Sequence, residues 1–352
     1  MKVELFLDRW GVVTTVLLST GLVFGSAFSS ATNALAQSTP SDFAGKTISV
    51  YIGSDAGGGY DFYGRLLARH FGQHVSGKPT VVPQNMPGAG SLRAANYLYN
   101  AAPKDGTAIG IITQTVALEE LLGTPGVQYQ SNKFNWIGRL TPNIDVSVTW
   151  HTSKGKDIES SKLHVIPVAG TGAGNVAEVM PRVLNEIIGT RFNVIAGYKG
   201  ANAAMLAMER GEVDGAATSW ANLKISKQDW LNEKKINIVV QYTPERHPEL
   251  PGVPALVELG RTDEDKQVLA LYGSTAIIGR SFTTAPDVPG DKIAMLRSAF
   301  DAMVRDTSFL SEIEKGKLEF EPLSGIELQA IIAEARNVSE AVKERARRAR
   351  GF

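Results

Sequence analysis

The chain has 352 residues, of which 36 are lysine or arginine and 36 are aspartate or glutamate, so its formal net charge is zero. This balance argues against a nucleic-acid-binding protein, which needs an excess of basic side chains, and against an acidic disordered chain. The sequence contains 0 cysteines, which excludes disulfides, thiolate metal sites and a cysteine nucleophile.

The first residues have the features of a secretory signal peptide. Lys2 and Arg9 precede an apolar and small-residue segment at 11–28, and the triplet at 34–36 matches an A-x-A cleavage site. A membrane anchor is the alternative, but a spanning helix needs about 20 apolar residues, and the cleavage site favours removal. We therefore predict an exported protein that is cleaved after Ala36. The remainder is long enough for two domains of about 150 residues each.

Strands and helices are predicted to alternate through the first part of the mature chain. The predicted strands are 47–52, 80–82 and 107–112, and the predicted helices are 61–71 and 91–101. The strands are rich in β-branched residues, and the helices carry apolar residues at helical spacing. This alternation predicts a parallel sheet with helices on its faces.

The same plan restarts in the second part of the chain. The predicted strands are 163–168, 192–195, 213–217 and 236–240, and the predicted helices are 175–188 and 201–210. Residues 267–278 are predicted as a strand or an extended crossover, 291–305 as a helix and 324–350 as one long charged helix. The fold class is therefore α/β, with two lobes, each a mostly parallel sheet flanked by helices. The arginines near the chain end have two explanations: they complement the dipole of the last helix, or they bind an anionic partner. We favour the first.

Glycine-rich loops between strands and helices are the strongest functional signal. They lie at 57–61, 85–90 and 169–174, with a shorter turn at 198–200. Backbone N–H groups of a first helical turn have no intrahelical partner and carry a partial positive charge. Glycine lets a ligand oxygen approach these groups, so each loop can hold an anion without a basic side chain. For any single loop a tight turn is the alternative, and Asp61 has the alternative role of capping the helix that follows.

Enzyme motifs are weaker than these loops. The P-loop, dinucleotide-binding and G-x-S-x-G patterns are absent, and the spacing shows no nucleophile–base pair. His70 and His74 have a spacing that zinc can use, but they lack a third evident ligand. We therefore predict no catalytic residue, no metal site and no cofactor.

Taken together, the loops resemble the solute-binding receptors of tripartite tricarboxylate transporters, the Bug family. The resemblance runs in order from about residue 47 to residue 260. The matching segments are GGGYD (57–61), RLLA (65–68), VPQNMPGAG (82–90), APKDGT (102–107), YKG (198–200), GEVD (211–214) and RHPELPGVP (246–254).

The resemblance implies a periplasmic binding protein with two α/β lobes and a hinged cleft between them. Lobe 1 would comprise residues 44–143 and 272–352, and lobe 2 residues 144–271. Such a receptor closes on a small carboxylate, held largely by loop backbone amides, and delivers it to membrane transporter subunits. We expect a monomer without nucleic-acid partners. The expected ligand-binding residues are Gly57, Gly58, Tyr60, Asp61, Asn85, Gly88, Ala89, Gly90, Thr113, Thr171, Gly172, Ala173, Gly174, Tyr198, Thr218 and Ser219.

The chain departs from the family pattern at positions near the expected ligand. Ser91 replaces the usual glycine, residues 218–220 replace an Asp-Asn-like pair, and residues 54–56 replace a proline-containing turn. Trp220 either lines an aromatic pocket with Tyr60 and Tyr198 or belongs to the core. Two other functions stay open from sequence alone: an exported hydrolase or transferase that uses the same cleft, and a sensor subunit that presents its ligand to a membrane kinase.

Overall fold

A computed structural model describes residues 43–351, which form two mixed sheets with helices on their faces. The predicted signal peptide and its cleavage site lie outside the described residues. The strands are β1 (Thr47–Ile52), β2 (Thr80–Asn85), β3 (Ala108–Ile111), β4 (Asn135–Arg139), β5 (Asp145–Trp150), β6 (Ile166–Gly170), β7 (Phe192–Ala196), β8 (Gly215–Ser219), β9 (Ile236–Gln241), β10 (Ser281–Thr284) and β11 (Leu323–Ser324).

The helices connect these strands and cover the sheets. They are α1 (Gly59–His70), α2 (Leu92–Asn100), α3 (Val116–Leu121), α4 (Ile158–Leu163), α5 (Val176–Ile188), α6 (Ala201–Glu209), α7 (Trp220–Ser226), α8 (Gln228–Asn232), α9 (Asp263–Gly273), α10 (Thr275–Ile278), α11 (Gly290–Met303), α12 (Thr307–Gly316), α13 (Gly325–Glu334) and α14 (Glu340–Arg350). Among the described residues, none of these helices has the length and hydrophobicity needed to cross a membrane.

The first sheet has the strand order β11-β4-β10-β3-β1-β2. β1 pairs in parallel with β2 and β3, so the loops after these strands leave at one edge. β10 returns from near the end of the chain and pairs antiparallel with both β3 and β4. The sheet therefore combines strands from the first part of the described chain with β10 and β11 from its later part.

The second sheet has the order β7-β6-β8-β5-β9. β6 pairs in parallel with β7 and β8, whereas β5 pairs antiparallel with β8 and β9. The two-lobe α/β plan is confirmed, but each sheet is mixed instead of mostly parallel. The difference arises because β5 and β10 enter their sheets from the crossovers between lobes.

Two predicted elements were wrong, and in both cases serine or threonine caps explain the difference. Residues 267–278 are helical, because Thr262 accepts the N–H of Asp265 and starts α9. Residues 324–350 form two helices instead of one, because Ser339 accepts the N–H of Val342 and starts a new helix. The four strands β4, β5, β10 and β11 were not predicted.

The last helix packs against the second lobe. Val342, Ala346 and Ala349 of α14 are buried in the same apolar cluster as residues of α5 and α9. The predicted lobe division, 44–143 plus 272–352 against 144–271, stays a prediction. α14 packs against α5 and α9, which the prediction assigns to the second lobe, whereas it assigns residues 340–350 to the first.

Candidate functional site

A cavity of about 670 Å³ lies between the loops that follow the parallel strands of the two sheets. In the first sheet these loops follow β1, β2 and β3, and in the second sheet they follow β6, β7 and β8. Each loop leaves its strand at the carboxyl end, where open α/β sheets bind their ligands. The cavity has the size of a small-molecule site.

The predicted ligand-binding residues fall into two groups. Residues that line the cavity are Gly58, Tyr60, Gly88, Ala89, Gly90, Thr113, Thr171, Thr218 and Ser219. Residues outside the cavity lining are Gly57, Asp61, Asn85, Gly172, Ala173, Gly174 and Tyr198. A role in ligand binding stays a prediction for both groups, and contacts that members of the second group make within the protein follow.

Asp61 and Asn85 hold two loops together. The Asp61 carboxylate accepts hydrogen bonds from the N–H of Gly57 (2.9 Å), from Nδ2 of Asn85 (2.8 Å) and from Nε of Arg65 (2.9 Å). Asn85 also donates to the carbonyl of Ser54 at 3.0 Å. Burial opposes ionisation of Asp61, but these hydrogen bonds outweigh it and lower its pKa. The network fixes the loop after β1 against the end of β2.

Gly172 and Gly174 lie outside the cavity lining and bring the loop after β6 against the loop after β2. A Cβ atom on Gly90 would lie 2.7 Å from the carbonyl carbon of Gly174, so the two loops are in direct backbone contact. The hydroxyl of Thr115 donates to the Gly174 carbonyl at 2.9 Å. The N–H of Gly172 donates to Glu178 at 3.2 Å. The contacts of Gly174 with Gly90 and Thr115 therefore join the two lobes, whereas the bond to Glu178 holds the loop within its own lobe.

Ser91 explains how the chain tolerates a departure from the family pattern. Its backbone has a left-handed conformation, with φ of 76°, which favours glycine. Its hydroxyl donates to the carbonyl of Gly53 at 2.8 Å. A Cβ on Gly53 would lie 2.3 Å from Oγ of Ser91, so only glycine fits at position 53. The serine therefore ties the turn after β2 to the end of β1.

Of the three aromatic residues considered for the pocket, only Tyr60 lines it. Trp220 is 8% exposed and packs in the apolar cluster beside α6. Its indole N–H donates to Glu249 at 2.5 Å. Tyr198 packs against the same cluster, and its backbone N–H donates to the Gly170 carbonyl. Trp220 is therefore a core residue.

Two helices reach the cavity without a side-chain cap. α1 begins after Gly58 and α6 after Gly200, and neither glycine has a side-chain oxygen that could cap the first turn. Both residues line the cavity, one from each lobe. By contrast, Asn175 and Ser219 cap α5 and α7 with their side chains. The free N–H groups and dipoles of α1 and α6 make the cavity favourable for an anion.

Two buried charged residues line the cavity and were missed from sequence. Arg280 is 3% exposed and Asp145 is 6% exposed. The expectation that the loops hold an anion without a basic side chain stays a prediction, and the lining adds one buried arginine to it. The available signal was a single charge inside an apolar segment: Arg280 lies between Ile278 and Phe282.

The two charges are connected through a polar network. The Arg280 guanidinium lies 4.0 Å from the centroid of the Tyr60 ring, a cation–π distance. The Tyr60 hydroxyl accepts the N–H of Gln114 at 2.9 Å, and the Gln114 side chain donates to Asp145 Oδ2 at 3.0 Å. Asn143 donates to the same oxygen at 2.9 Å. Burial raises the pKa of Asp145 to about 6, although Arg280 and Asn143 oppose the rise.

The histidines lie away from the cavity, and the described residues contain no metal cluster beside it. No histidine lines the cavity, and within residues 43–351 no cluster of His, Cys, Asp and Glu is arranged to hold a metal ion. His70 and His74 face acidic residues of another helix: His70 Nε2 lies 2.6 Å from Glu312, and His74 lies 3.9 Å from Asp306. The arrangement provides binding contacts for a polar molecule.

Residues 65–346 match the model of a protein family described as the tripartite tricarboxylate transporter family receptor. The chain belongs to this receptor family. Its members are solute-binding receptors, so this receptor is a binding protein and not an enzyme. No curated protein matches the receptor at a significant level.

Solved structures share the fold of the receptor. The periplasmic binding protein BugD superimposes with a TM-score of 0.67 at 19% identity, covering 86% of this chain and 97% of its own. Rpa4515 of R. palustris, solved with adipate, gives 0.67 at 17% identity, with 87% and 98% covered. MatC of Rhodopseudomonas palustris, solved with malate, gives 0.62 at 21% identity, with 86% and 97% covered. These similarities establish the two-lobe fold.

Proposed function

We propose that the receptor captures a small organic carboxylate in this cavity and delivers it to membrane subunits of a transporter. One observation carries the proposal: α1 and α6, from opposite lobes, point uncapped N-termini into one cavity that also contains a buried arginine. Both features favour a negatively charged group. Relatives with the same fold, solved with adipate and malate, support this ligand class.

The proposed contacts combine backbone amides and side chains. Main-chain donors would come from the loops that contain Gly58, Gly88–Gly90 and Thr171, and polar side chains from Thr113 and Thr218. A ligand that touches both lobes stabilises the closed arrangement by its greater affinity for that state. We propose the lobe division given above, with α14 assigned to the second lobe, and a monomeric receptor in the periplasm after cleavage behind Ala36.

Thermal unfolding of the mature protein tests the proposal. Succinate, malate and adipate are added at millimolar concentration, and a ligand present at about 100 times its Kd should stabilise the fold by about 2.7 kcal/mol. The matched control is the diamide of each acid, which keeps the shape and lacks the charge. Absence of any shift with all three acids would contradict carboxylate binding. Chemical conversion of a bound acid, followed by mass spectrometry, would contradict a pure receptor.

A further inference from the structure

Arg280 is fixed at the point where the chain crosses between the lobes. Its N–H donates to the carbonyl of Thr141 at 2.9 Å, and its carbonyl accepts the N–H of Leu140 at 3.0 Å. The preceding Gly279 has φ of 54°, and a Cβ there would lie 2.2 Å from the Thr141 oxygen. Two hydrogen bonds therefore hold the backbone of Arg280 against the segment that connects β4 to β5.

The side chain of Arg280 contacts both lobes. Nη2 donates to the hydroxyl of Ser219 in the second lobe at 3.0 Å, and the guanidinium stacks on Tyr60 in the first lobe. Gly59 leaves room for it, because a Cβ on that residue would lie 2.5 Å from Nη2 and 3.1 Å from Cζ. Nη1 is buried and has no hydrogen-bond partner among the described residues.

A comparison with the other buried arginines shows what Arg280 lacks. Arg350 forms two hydrogen bonds with the carboxylate of Glu119. Arg139 contacts the Glu321 carboxylate at 3.1 Å. Arg280 has no carboxylate within salt-bridge distance among residues 43–351, and Oδ2 of nearby Asp145 is occupied by Gln114 and Asn143. A buried guanidinium without an anionic partner is costly unless something else supplies one.

We propose that Arg280 binds a carboxylate group of the ligand and is the main determinant of the requirement for that group. This inference rests on the proposed function. A planar guanidinium matches a carboxylate with two parallel N–H···O bonds, which an ammonium group does not reproduce. The fixed backbone and the stack on Tyr60 orient the guanidinium of Arg280 before the ligand arrives, so the side chain loses little conformational freedom on binding.

The test compares three variants by isothermal titration with whichever of succinate, malate and adipate binds wild type most tightly. Arg280→Gln should weaken binding about 100-fold, because a desolvated charge-assisted contact is lost. The affinity of Arg280→Lys should lie between that of Arg280→Gln and that of wild type. Arg139→Gln is the matched control, since it removes another buried arginine of the first lobe that does not line the cavity. It should retain wild-type affinity.

Gly59→Ala tests the same contact without removing the charge. The added Cβ must displace the guanidinium, so affinity should fall about tenfold while circular dichroism stays native. The diamide of the ligand has no carboxylate, so it should bind wild type weakly, and its affinities for wild type and Arg280→Gln should be similar. If wild type binds none of the acids, the proposed function fails and this inference falls with it. If wild type binds and folded Arg280→Gln binds within threefold of it, only the role of Arg280 is overturned.

Discussion

Glu119 and Arg350 form an ion pair that is almost fully removed from solvent, with side chains 0% and 2% exposed. The two guanidinium nitrogens of Arg350 donate to the two carboxylate oxygens at 3.1 and 2.9 Å. Nη2 of the same arginine also donates to the carbonyl of Ala173 at 3.2 Å. The pair therefore connects α3, which follows a strand of the first lobe, to the last helix and to a loop beside the cavity.

Removing one partner of this pair should destabilise the fold strongly. Glu119→Gln leaves the arginine buried without its counter-charge, and such losses cost about 3–5 kcal/mol. Urea unfolding followed by circular dichroism measures the change. Lys343→Gln is the control, because Lys343 pairs at 3.2 Å with the exposed Glu340, and surface pairs contribute at most about 1 kcal/mol.

The double variant Glu119→Leu with Arg350→Leu separates the cost of an unpaired charge from loss of packing. Because both charges are absent, it should be more stable than Glu119→Gln, despite carrying two substitutions. Equal or greater loss in the double variant would mean that the Glu119–Arg350 pair itself supplies the stability, and that loss of the counter-charge of Arg350 is not what destabilises Glu119→Gln.

Asp145 should make stability depend on pH in an unusual direction. Burial raises its pKa from 3.8 to about 6, so the folded state holds the proton more tightly than the unfolded state. Stability from this group is fully present below pH 4 and is lost as the pH rises to about 6 and beyond. Asp145→Asn cannot ionise, so its stability relative to wild type should increase by up to about 3 kcal/mol between pH 4 and pH 7.

Urea unfolding of both proteins at several pH values measures this difference. Asp157→Asn is the control of opposite sign, because hydrogen bonds from Ser160 lower the pKa of Asp157. The stability of Asp157→Asn relative to wild type should decrease between pH 4 and pH 7. A constant difference between Asp145→Asn and wild type would show that folding does not raise the pKa of Asp145.

Local sequence patterns predicted the helices α1, α5 and α6 because their apolar spacing and their flanking glycine or asparagine lie within a few residues. They also located the glycine loops that line the cavity. Nothing local indicated that Arg280 and Asp145 meet there. Their positions depend on β10 and β5, which pair antiparallel with strands distant in sequence. Such pairing depends on tertiary contacts, which no short sequence pattern encodes.

Contact between the loops of the two lobes should contribute to ligand affinity. Gly172 has φ of 132°, and a Cβ there would lie 3.0 Å from the N of Gly90 in the opposite lobe. Gly172→Ala should therefore hinder closure and weaken binding of the best acid about tenfold by titration. Gly189→Ala is the control, because Gly189 also has positive φ, of 80°, but has open space around it. It should lose stability of about 1 kcal/mol and keep its affinity. Equal affinities for both variants would remove the loop contact from the binding mechanism.

Asn202 forms a second contact between the lobes, and it should slow release of the ligand. Its Nδ2 donates to the carbonyl of Gly57 at 2.9 Å, joining the first turn of α6 to the loop before α1. A neutral hydrogen bond of this kind contributes about 0.5–1.5 kcal/mol, so Asn202→Ala should raise the dissociation rate about two- to tenfold. Stopped-flow fluorescence measures that rate. Asn96→Ala is the control, because Asn96 makes an equivalent bond of 2.8 Å to the Gly126 carbonyl and does not line the cavity. An unchanged dissociation rate in Asn202→Ala would mean that the lobes stay closed on the ligand without this bond.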